Sequence, residues 1–126
     1  MTMIAKAAEP TTVALAPAAA LFHGLADPTR LLILRHLRSG EHKVKELTDH
    51  LGLAQSTISA HLSCLRDCGL VVSRPVGRAS MFSLAEVDGL EAILVAAESL
   101  LAATGREVAL GAHHWHESHG TGTATP

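Results

Sequence analysis

The chain has 126 residues, of which 48% are apolar, and a formal net charge of −2 at pH 7. This length suits a single domain, and this apolar content is enough for a packed core, which excludes a disordered polymer. With two Phe, one Trp and no Tyr, the core has to come from Leu, Ala, Val and Ile, a composition that favours packed helices. The apolar runs are far shorter than the roughly 20 residues that cross a bilayer, so no membrane association is expected.

The two ends of the chain are predicted to be flexible segments. Residues 1–15 are rich in Ala and Thr and lack both the charged start and the compact apolar run of a secretory signal, which indicates a cytoplasmic protein. Residues 105–126 lose helical periodicity and contain the run HHWHESH before a Gly/Thr-rich end. In a reducing cytoplasm, the two cysteines are expected to act as metal ligands or reactive thiols rather than as a structural disulfide.

Residues 16–104 are predicted to form one domain, and its first half is helical. Pro17 can open a first helix, because proline suits the first helical position. Asp27 and Pro28 then start a second helix, whose leucines recur at helical spacing until Gly40.

A short third helix and a longer fourth helix follow, separated only by a tight turn. The third ends at Gly52, and the fourth begins at Gln55 or Ser56 and reads QSTISAHLSCLRDC. Two helices joined in this way are typical of a helix-turn-helix. The apolar residues available to lock the pair together are Val44, Leu47, Leu51, Ile58, Leu62 and Leu65.

Beyond Gly69 the pattern changes to two short strands, LVVSR and ASMFSL, around a Pro/Gly turn, which predicts a β-hairpin wing. A last helix from Glu86 to about Thr104 has an apolar stripe too wide for so small a domain to bury alone, which favours a dimer interface. The stripe consists of Leu90, Ile93, Leu94, Ala97, Leu100 and Leu101. The predicted fold is mainly α (α+β): a dimeric winged helix-turn-helix of about five helices and one hairpin.

The middle of the chain is basic. Residues 30–80 carry eight Lys or Arg against four Asp or Glu, a net charge of +4, which leaves −6 on the rest of a chain whose total is −2. In a helix-turn-helix the second helix enters the major groove with its N-terminal residues at the base edges, where Gln and short hydroxyl side chains can bind. Arginines flanking the wing turn can reach the neighbouring backbone. The residues predicted to contact double-stranded DNA are Gln55, Ser56, Thr57, Ser59, His61, Arg74 and Arg78.

Three segments, LADPTRLLILRHL, VKELTDHLGLAQSTISAHLSCLRDCGLV and GRASMFSL, resemble the ArsR/SmtB family of winged-helix repressors over roughly residues 20–104. The resemblance implies a homodimer built on the first and last helices, which binds an imperfect inverted repeat of operator DNA and releases it when an effector binds. A symmetric dimer also matches a palindromic operator on geometric grounds.

The resemblance also implies where a metal effector can bind, because members of the family place their metal sites at different positions. The arsenic-type site needs cysteines where this chain has Lys43 and Lys45, and the zinc-type site on the last helix has lost its histidines. The remaining type is the cadmium/lead-sensing CmtR branch, in which the recognition helix carries C-x-x-x-C. Cys64 and Cys68 match this motif in LSCLRDCGLV.

The spacing of the two cysteines supports a metal site independently of the family. Residues at i and i+4 share a helix face, with Cβ atoms roughly 5–6 Å apart, and soft sulfur ligands favour cadmium, lead or zinc over magnesium or calcium. The CmtR branch supplies a third cysteine from its C-terminal region, but this chain has Ala109 near that position. Imidazoles of the tail can replace it, and the candidates are His113, His114 and His116. The predicted effector is a divalent metal ion, cadmium ahead of lead or zinc, and no organic cofactor is expected.

Several alternatives remain open. A C-x-x-x-C on a helix is also compatible with core packing, and a His-rich terminus with a solvated tail. The same fold can serve as a thiol-redox-responsive repressor, although a disulfide between positions i and i+4 is strained, as an arsenite-responsive repressor, or as a constitutive DNA-binding dimer. An enzyme that pairs His61 with a cysteine nucleophile lacks any accompanying phosphate loop, oxyanion arrangement or acid pair, so no catalytic activity is expected.

Overall fold

The computed structural model describes residues 9–110. Its first helix, α1, spans Thr12–Leu25, and Pro17 lies inside it. The predicted start at Pro17 is therefore wrong, and the helix begins within the N-terminal segment that the sequence predicts to be flexible. The reason is a side-chain cap further upstream, because the hydroxyl of Thr11 accepts a hydrogen bond from the backbone N–H of Ala14 at 3.1 Å.

Helix α2 spans Pro28–Leu37 and begins where the sequence predicts. The carboxylate of Asp27 accepts a hydrogen bond from the backbone N–H of Arg30 at 3.0 Å, and Pro28 occupies the first turn, where its missing N–H costs no helical hydrogen bond. The hydrogen bond from the Arg30 amide lowers the pKa of the Asp27 carboxyl below its ordinary value. The cap therefore stays ionised to a lower pH than an ordinary aspartate does.

Helices α3 (Val44–Leu51) and α4 (Gln55–Asp67) form the helix-turn-helix unit. Gly52 ends α3 in the left-handed region, with a φ of 68°, and its N–H donates to the carbonyl of Thr48 at 2.8 Å. Because glycine adopts positive φ without a steric penalty, the chain reverses within this short connection. The predicted pair of helices and the glycine stop are confirmed.

The wing belongs to a three-stranded antiparallel sheet with the strand order β1-β3-β2. The strands span His42–Lys43 (β1), Val71–Val76 (β2) and Ala79–Leu84 (β3). Strands β2 and β3 form the predicted hairpin. Strand β1 is an addition that the sequence does not predict, because two residues are too few to show the alternation of a strand. Its pairing with β3 attaches the wing to the start of α3.

Helix α5 spans Val87–Ala103, close to the predicted bounds. Its apolar stripe is only partly buried within one chain, because Leu90 and Leu94 are buried whereas Leu100 is 67% exposed. The chain then turns back, and the N–H of Leu110 donates a hydrogen bond to the carboxylate of Glu98. Within the described residues, no helix is both long and apolar enough to cross a bilayer.

A second contact fixes the same segment from the side of α2. The carbonyl of Leu110 accepts a hydrogen bond from Nη1 of Arg38 at 3.1 Å, and Nε of Arg38 pairs with the carboxylate of Glu91 at 2.6 Å. Both backbone groups of Leu110 are therefore held by side chains, within the region 105–126 that the sequence predicts to be flexible.

The hydrophobic core lies between α2, the helix-turn-helix unit, the sheet and the start of α5. It comprises Ile33, Leu34, Leu37, Leu47, Ile58, Leu62, Leu65, Val71, Phe82, Leu90 and Leu94. Most of the residues predicted to lock α3 against α4 belong to it, whereas Val44 and Leu51 are half-buried at its edge. Residues 9–110 thus form a winged helix-turn-helix of five helices and a small sheet, and the core holds α4 so that its opposite face points outwards.

Candidate nucleic-acid interface and candidate metal site

The N-terminal half of α4 presents a polar face to solvent. Ile58 and Leu62 are buried against the core and fix the rotation of the helix about its axis. That rotation leaves exposed four of the residues predicted to read DNA, which are Gln55, Ser56, Thr57 and Ser59. Their hydroxyl and amide groups can donate and accept hydrogen bonds at base edges and phosphates, and the N-terminus of the helix attracts negative charge.

His61 is the predicted DNA contact that differs from these four. Its ring is half-buried and turned towards the protein, where Nδ1 lies 3.3 Å from Nη1 of Arg30 and Nε2 lies 3.8 Å from the carboxylate of Asp27. Sequence periodicity places His61 on α4 but does not reveal these partners, because both belong to the start of α2. The structure therefore separates His61 from the exposed face of the helix.

The two predicted wing arginines have different environments. Arg78 is exposed at the tip of the hairpin, next to Gly77, whose φ of 62° forms the turn. Arg74 makes a bidentate pair with Glu41, with Nε and Nη2 lying 2.7 and 2.9 Å from the two carboxylate oxygens. These hydrogen bonds lower the pKa of the Glu41 carboxyl and raise that of Arg74. A DNA phosphate can therefore bind Arg78 directly, whereas it can bind Arg74 only by displacing the carboxylate of Glu41.

A groove between the wing and the helix-turn-helix unit brings further basic side chains to the DNA-reading face. It has a volume of about 540 Å³, and its polar lining includes Lys43, Lys45, Gln55 and Arg78. From the sequence alone, the two lysines exclude an arsenic-type site and belong to the basic middle of the chain. Their position at the start of α3, within a segment of net charge +4, makes them candidate phosphate ligands.

The two cysteines lie at the other end of α4. Cys64 is in its last turns and Cys68 is its C-cap, and both side chains are half-buried and outside any disulfide. The N–H of Cys68 donates to the carbonyl of Cys64 at 3.1 Å, and its thiol donates to the carbonyl of Leu65 at 3.4 Å. The helix thus fixes the backbone of both residues, and their sulfurs are soft donors of the kind that bind soft metal ions.

Both thiols border a cavity of about 340 Å³ between α4 and the end of α1. The cavity is lined by Ala20, His23, Cys64, Asp67 and Cys68. His23 is an imidazole that the sequence does not connect with the cysteines, because only the packing of α1 against α4 brings them together. Among residues 9–110 no three His, Cys, Asp or Glu side chains form a ready-made metal site. The predicted ligands His113, His114 and His116 lie outside the described residues.

The comparisons with known proteins agree with this geometry. The model of the bacterial regulatory protein arsR family matches residues 27–73, from the cap of α2 into β2. The solution structure of the homodimeric winged helix-turn-helix DNA-binding domain of a possible ArsR-family transcriptional regulator from Mycobacterium bovis is 30% identical, with a TM-score of 0.63. The match covers 76% of this chain and 87% of that one. The chain belongs to the ArsR family.

Two curated relatives of this ArsR-family chain carry informative names. The HTH-type transcriptional regulator CmtR of Mycobacterium tuberculosis is 50% identical over 68 residues, which are 54% of this chain and 58% of CmtR. The probable mercury resistance operon repressor of Streptomyces lividans is 38% identical over 78 residues, 62% of each chain. This chain therefore spans about three fifths of the length of these relatives.

Proposed function

We propose that this ArsR-family protein is a cytoplasmic transcriptional repressor that binds operator DNA as a homodimer and is released by a soft or borderline divalent metal ion bound through Cys64 and Cys68. Cadmium is the preferred effector, ahead of lead or zinc. The observation that carries the proposal is that one rigid helix, α4, has an exposed polar face at its N-terminus and both cysteines at its C-terminus. A shift of this helix on metal binding would therefore also move the residues that contact DNA.

DNA binding is supported by the combination of a polar helix face and a basic groove. Gln55 and Ser59 on α4 are placed to read base edges, while Lys43, Lys45 and Arg78 around the groove neutralise phosphates. Phosphate contacts make the affinity fall steeply with salt concentration, whereas base contacts give it sequence preference. The wing and the groove lysines would thus supply affinity, and the helix would supply sequence preference.

A homodimer is supported by the apolar surface that one chain leaves uncovered. Phe22 of α1 is 60% exposed and Leu100 of α5 is 67% exposed. Exposed apolar residues on two long helices mark an association surface, and a two-fold dimer presents two copies of α4 to successive major grooves. The homodimeric M. bovis neighbour has the same fold.

Metal binding is supported by the donor set of the α1/α4 cavity. Two thiols on consecutive turns of one helix fit a soft cation, which would bind them as thiolates. We include His113, His114 and His116 in the ligand set as candidates to complete it. A third ligand that is nitrogen rather than sulfur moves the preference towards cadmium and zinc and away from lead. The similarity to CmtR and to the mercury resistance operon repressor favours the same class of effector.

The test uses the full-length protein and an operator that the metal-free protein selects from a random duplex pool. Cadmium is titrated while operator release is followed by fluorescence anisotropy and thiolate coordination by ultraviolet absorption. Release should follow sulfur coordination in the wild type and be lost in Cys64→Ser and in Cys68→Ser. Ser63→Ala, an exposed substitution on the same helix, is the matched control and should behave as the wild type. Unchanged release in both cysteine variants would remove the thiols from the sensing site.

A thiol-redox repressor is the second candidate, and the shared cavity of the two thiols favours it. Peroxide would oxidise both thiols to a disulfide and be reduced to water. This reaction needs no metal, so the responses to peroxide and to cadmium distinguish the two functions. Operator release by peroxide, with a mass loss of two hydrogens and no release by cadmium, would favour the redox switch.

A further inference from the structure

Arg30 is a buried cation whose side chain joins α1 to the recognition helix α4. The residue is only 9% exposed. Its Nε donates a hydrogen bond to the carbonyl of Gly24 at 3.0 Å, and its Nη2 donates to the carbonyl of His23 at 2.8 Å. Its Nη1 lies 3.3 Å from Nδ1 of His61. One planar guanidinium therefore holds the last turn of α1 on one side and a residue of α4 on the other.

The chemistry of these groups fixes the orientation of the His61 ring. A guanidinium can only donate hydrogen bonds, so Nδ1 of His61 has to accept the bond from Arg30. A neutral imidazole then carries its hydrogen on Nε2, which faces the carboxylate of Asp27 at 3.8 Å. The same carboxylate accepts the backbone N–H of Arg30. The start of α2 thus holds His61 from two sides. Because His61 belongs to α4, the same contacts hold the middle of that helix.

The two α1 residues that bind Arg30 also lie next to the cysteines. His23 lines the cavity of Cys64 and Cys68, and Gly24 packs so closely against Cys68 that a Cβ at this position would lie 2.4 Å from its sulfur. A rearrangement of the thiols has to alter the packing of this turn of α1. The carbonyls of the turn are the acceptors of the guanidinium, so the rearrangement reaches Arg30.

We propose that Arg30 is the positioning residue that converts metal binding at the cysteines into loss of operator affinity. The inference rests on the proposed function. In the metal-free protein, Arg30 sets the orientation of α4 relative to α1, and through α1 relative to the second copy of the chain. A metal held by Cys64 and Cys68 would displace the thiols. Residues 23 and 24 would then shift, and Arg30 would carry the shift to His61 and hence to the DNA-reading half of α4.

The test is the ratio of operator Kd values with and without cadmium, measured on the full-length protein. In the wild type we expect cadmium to weaken operator binding by about 5–150-fold. Arg30→Lys keeps the charge but cannot serve three acceptors in different directions, so this ratio should fall towards one while cadmium still binds. Arg35→Lys is the matched control, because Arg35 is a half-buried arginine of the same helix that takes no part in the hydrogen bonds from Arg30 to α1 and α4. It should keep the wild-type ratio.

His61→Ala is the second variant, and it keeps the test valid if Arg30→Lys does not fold. It removes the acceptor on α4 and should lower the same ratio, and the double variant should lower it no further, because both residues belong to one link. If Arg30→Lys and His61→Ala both keep the wild-type ratio, the role of Arg30 is overturned and the proposed function stands. A ratio of one in the wild type would overturn the proposed function itself, and the inference with it.

Discussion

Gly24 of α1 and Cys68 at the end of α4 approach so closely that residue 24 has no room for a side chain. A Cβ at Gly24 would lie 2.4 Å from Sγ of Cys68 and 3.2 Å from Cδ1 of Leu70. The position of one of the two candidate metal ligands is therefore set by a helix from the other end of the domain.

Replacing Gly24 by Ala tests this contact. The added methyl group should displace the thiol of Cys68 and weaken cadmium affinity by on the order of tenfold, a size typical of perturbed ligand orientation. Competition titration against a chelator measures the change.

Gly89→Ala is the control for helix propensity, because a Cβ there would meet nothing nearer than the Cβ of Glu86 at 3.9 Å. It should leave cadmium affinity unchanged and raise the free energy of unfolding by up to about 1 kcal/mol. Equal cadmium affinities for Gly24→Ala and the wild type would show that the thiol has another position from which to bind.

The lysines of the groove should contribute to affinity without reading sequence. In Lys43→Gln and Lys45→Gln, operator binding and non-specific DNA binding should weaken together, because a phosphate contact is shared by all sequences. The slope of log K against log salt concentration should shrink by about 0.9 for each phosphate that is no longer neutralised. Arg106→Gln, which removes an exposed cation after α5, should leave the slope unchanged. Weakening confined to the selected operator would assign these lysines to base recognition.

The pair between Arg74 and Glu41 should restrain DNA binding. Glu41→Gln removes the carboxylate that occupies the guanidinium and frees Arg74 for a phosphate, so operator affinity at low salt should rise and its salt dependence should steepen. Glu107→Gln changes the net charge equally at a position after α5 and serves as the control. Anisotropy titrations at two salt concentrations compare them. Weaker binding by Glu41→Gln would instead mean that Glu41 orients Arg74 towards the DNA.

The environment of His36 predicts a loss of stability in mild acid. Burial is the main cause that lowers the pKa of His36 below 6.5, with further contributions from His50, His42 and Arg35, while the hydrogen bond to the Leu32 carbonyl opposes them. Since the folded pKa is the lower one, the unfolded chain binds the proton first as pH falls. The stabilisation is complete well above pH 6.5 and is lost as pH falls from that value through the lower folded pKa.

Urea unfolding of the wild type and His36→Gln, measured from pH 8 to pH 5.5, checks this prediction. The stability curve of the variant should be flatter across this range. His23→Gln, which removes an exposed imidazole of α1, should follow the wild type. Parallel curves for the wild type and His36→Gln would assign the acid sensitivity to other groups.

The helix-turn-helix and its wing can be predicted from the sequence because their signals are local. Asp27 caps α2 within a few residues, and Gly52 ends α3 at the position where the apolar periodicity breaks. The predicted start of α1 is wrong because the cap on Thr11 competes with the preference of Pro17 for a first turn, and the side-chain hydrogen bond prevails.

The parts of the candidate site that the sequence does not reveal depend on contacts between distant segments. The exposure of Gln55 and its neighbours follows from helical periodicity alone. The inward turn of His61 does not, because it depends on Arg30, and neither does the approach of His23 to the cysteines, because it depends on how α1 packs against α4. The sequence reveals side-chain chemistry, whereas the pairing of side chains between helices emerges only from the fold.

The clamp on Leu110 joins two helices through the end of the described chain. Arg38 follows α2 and Glu98 lies in α5, and their side chains hold the carbonyl and the N–H of Leu110. A movement of α2 against α5 therefore has to break one of these hydrogen bonds or carry Leu110 with it.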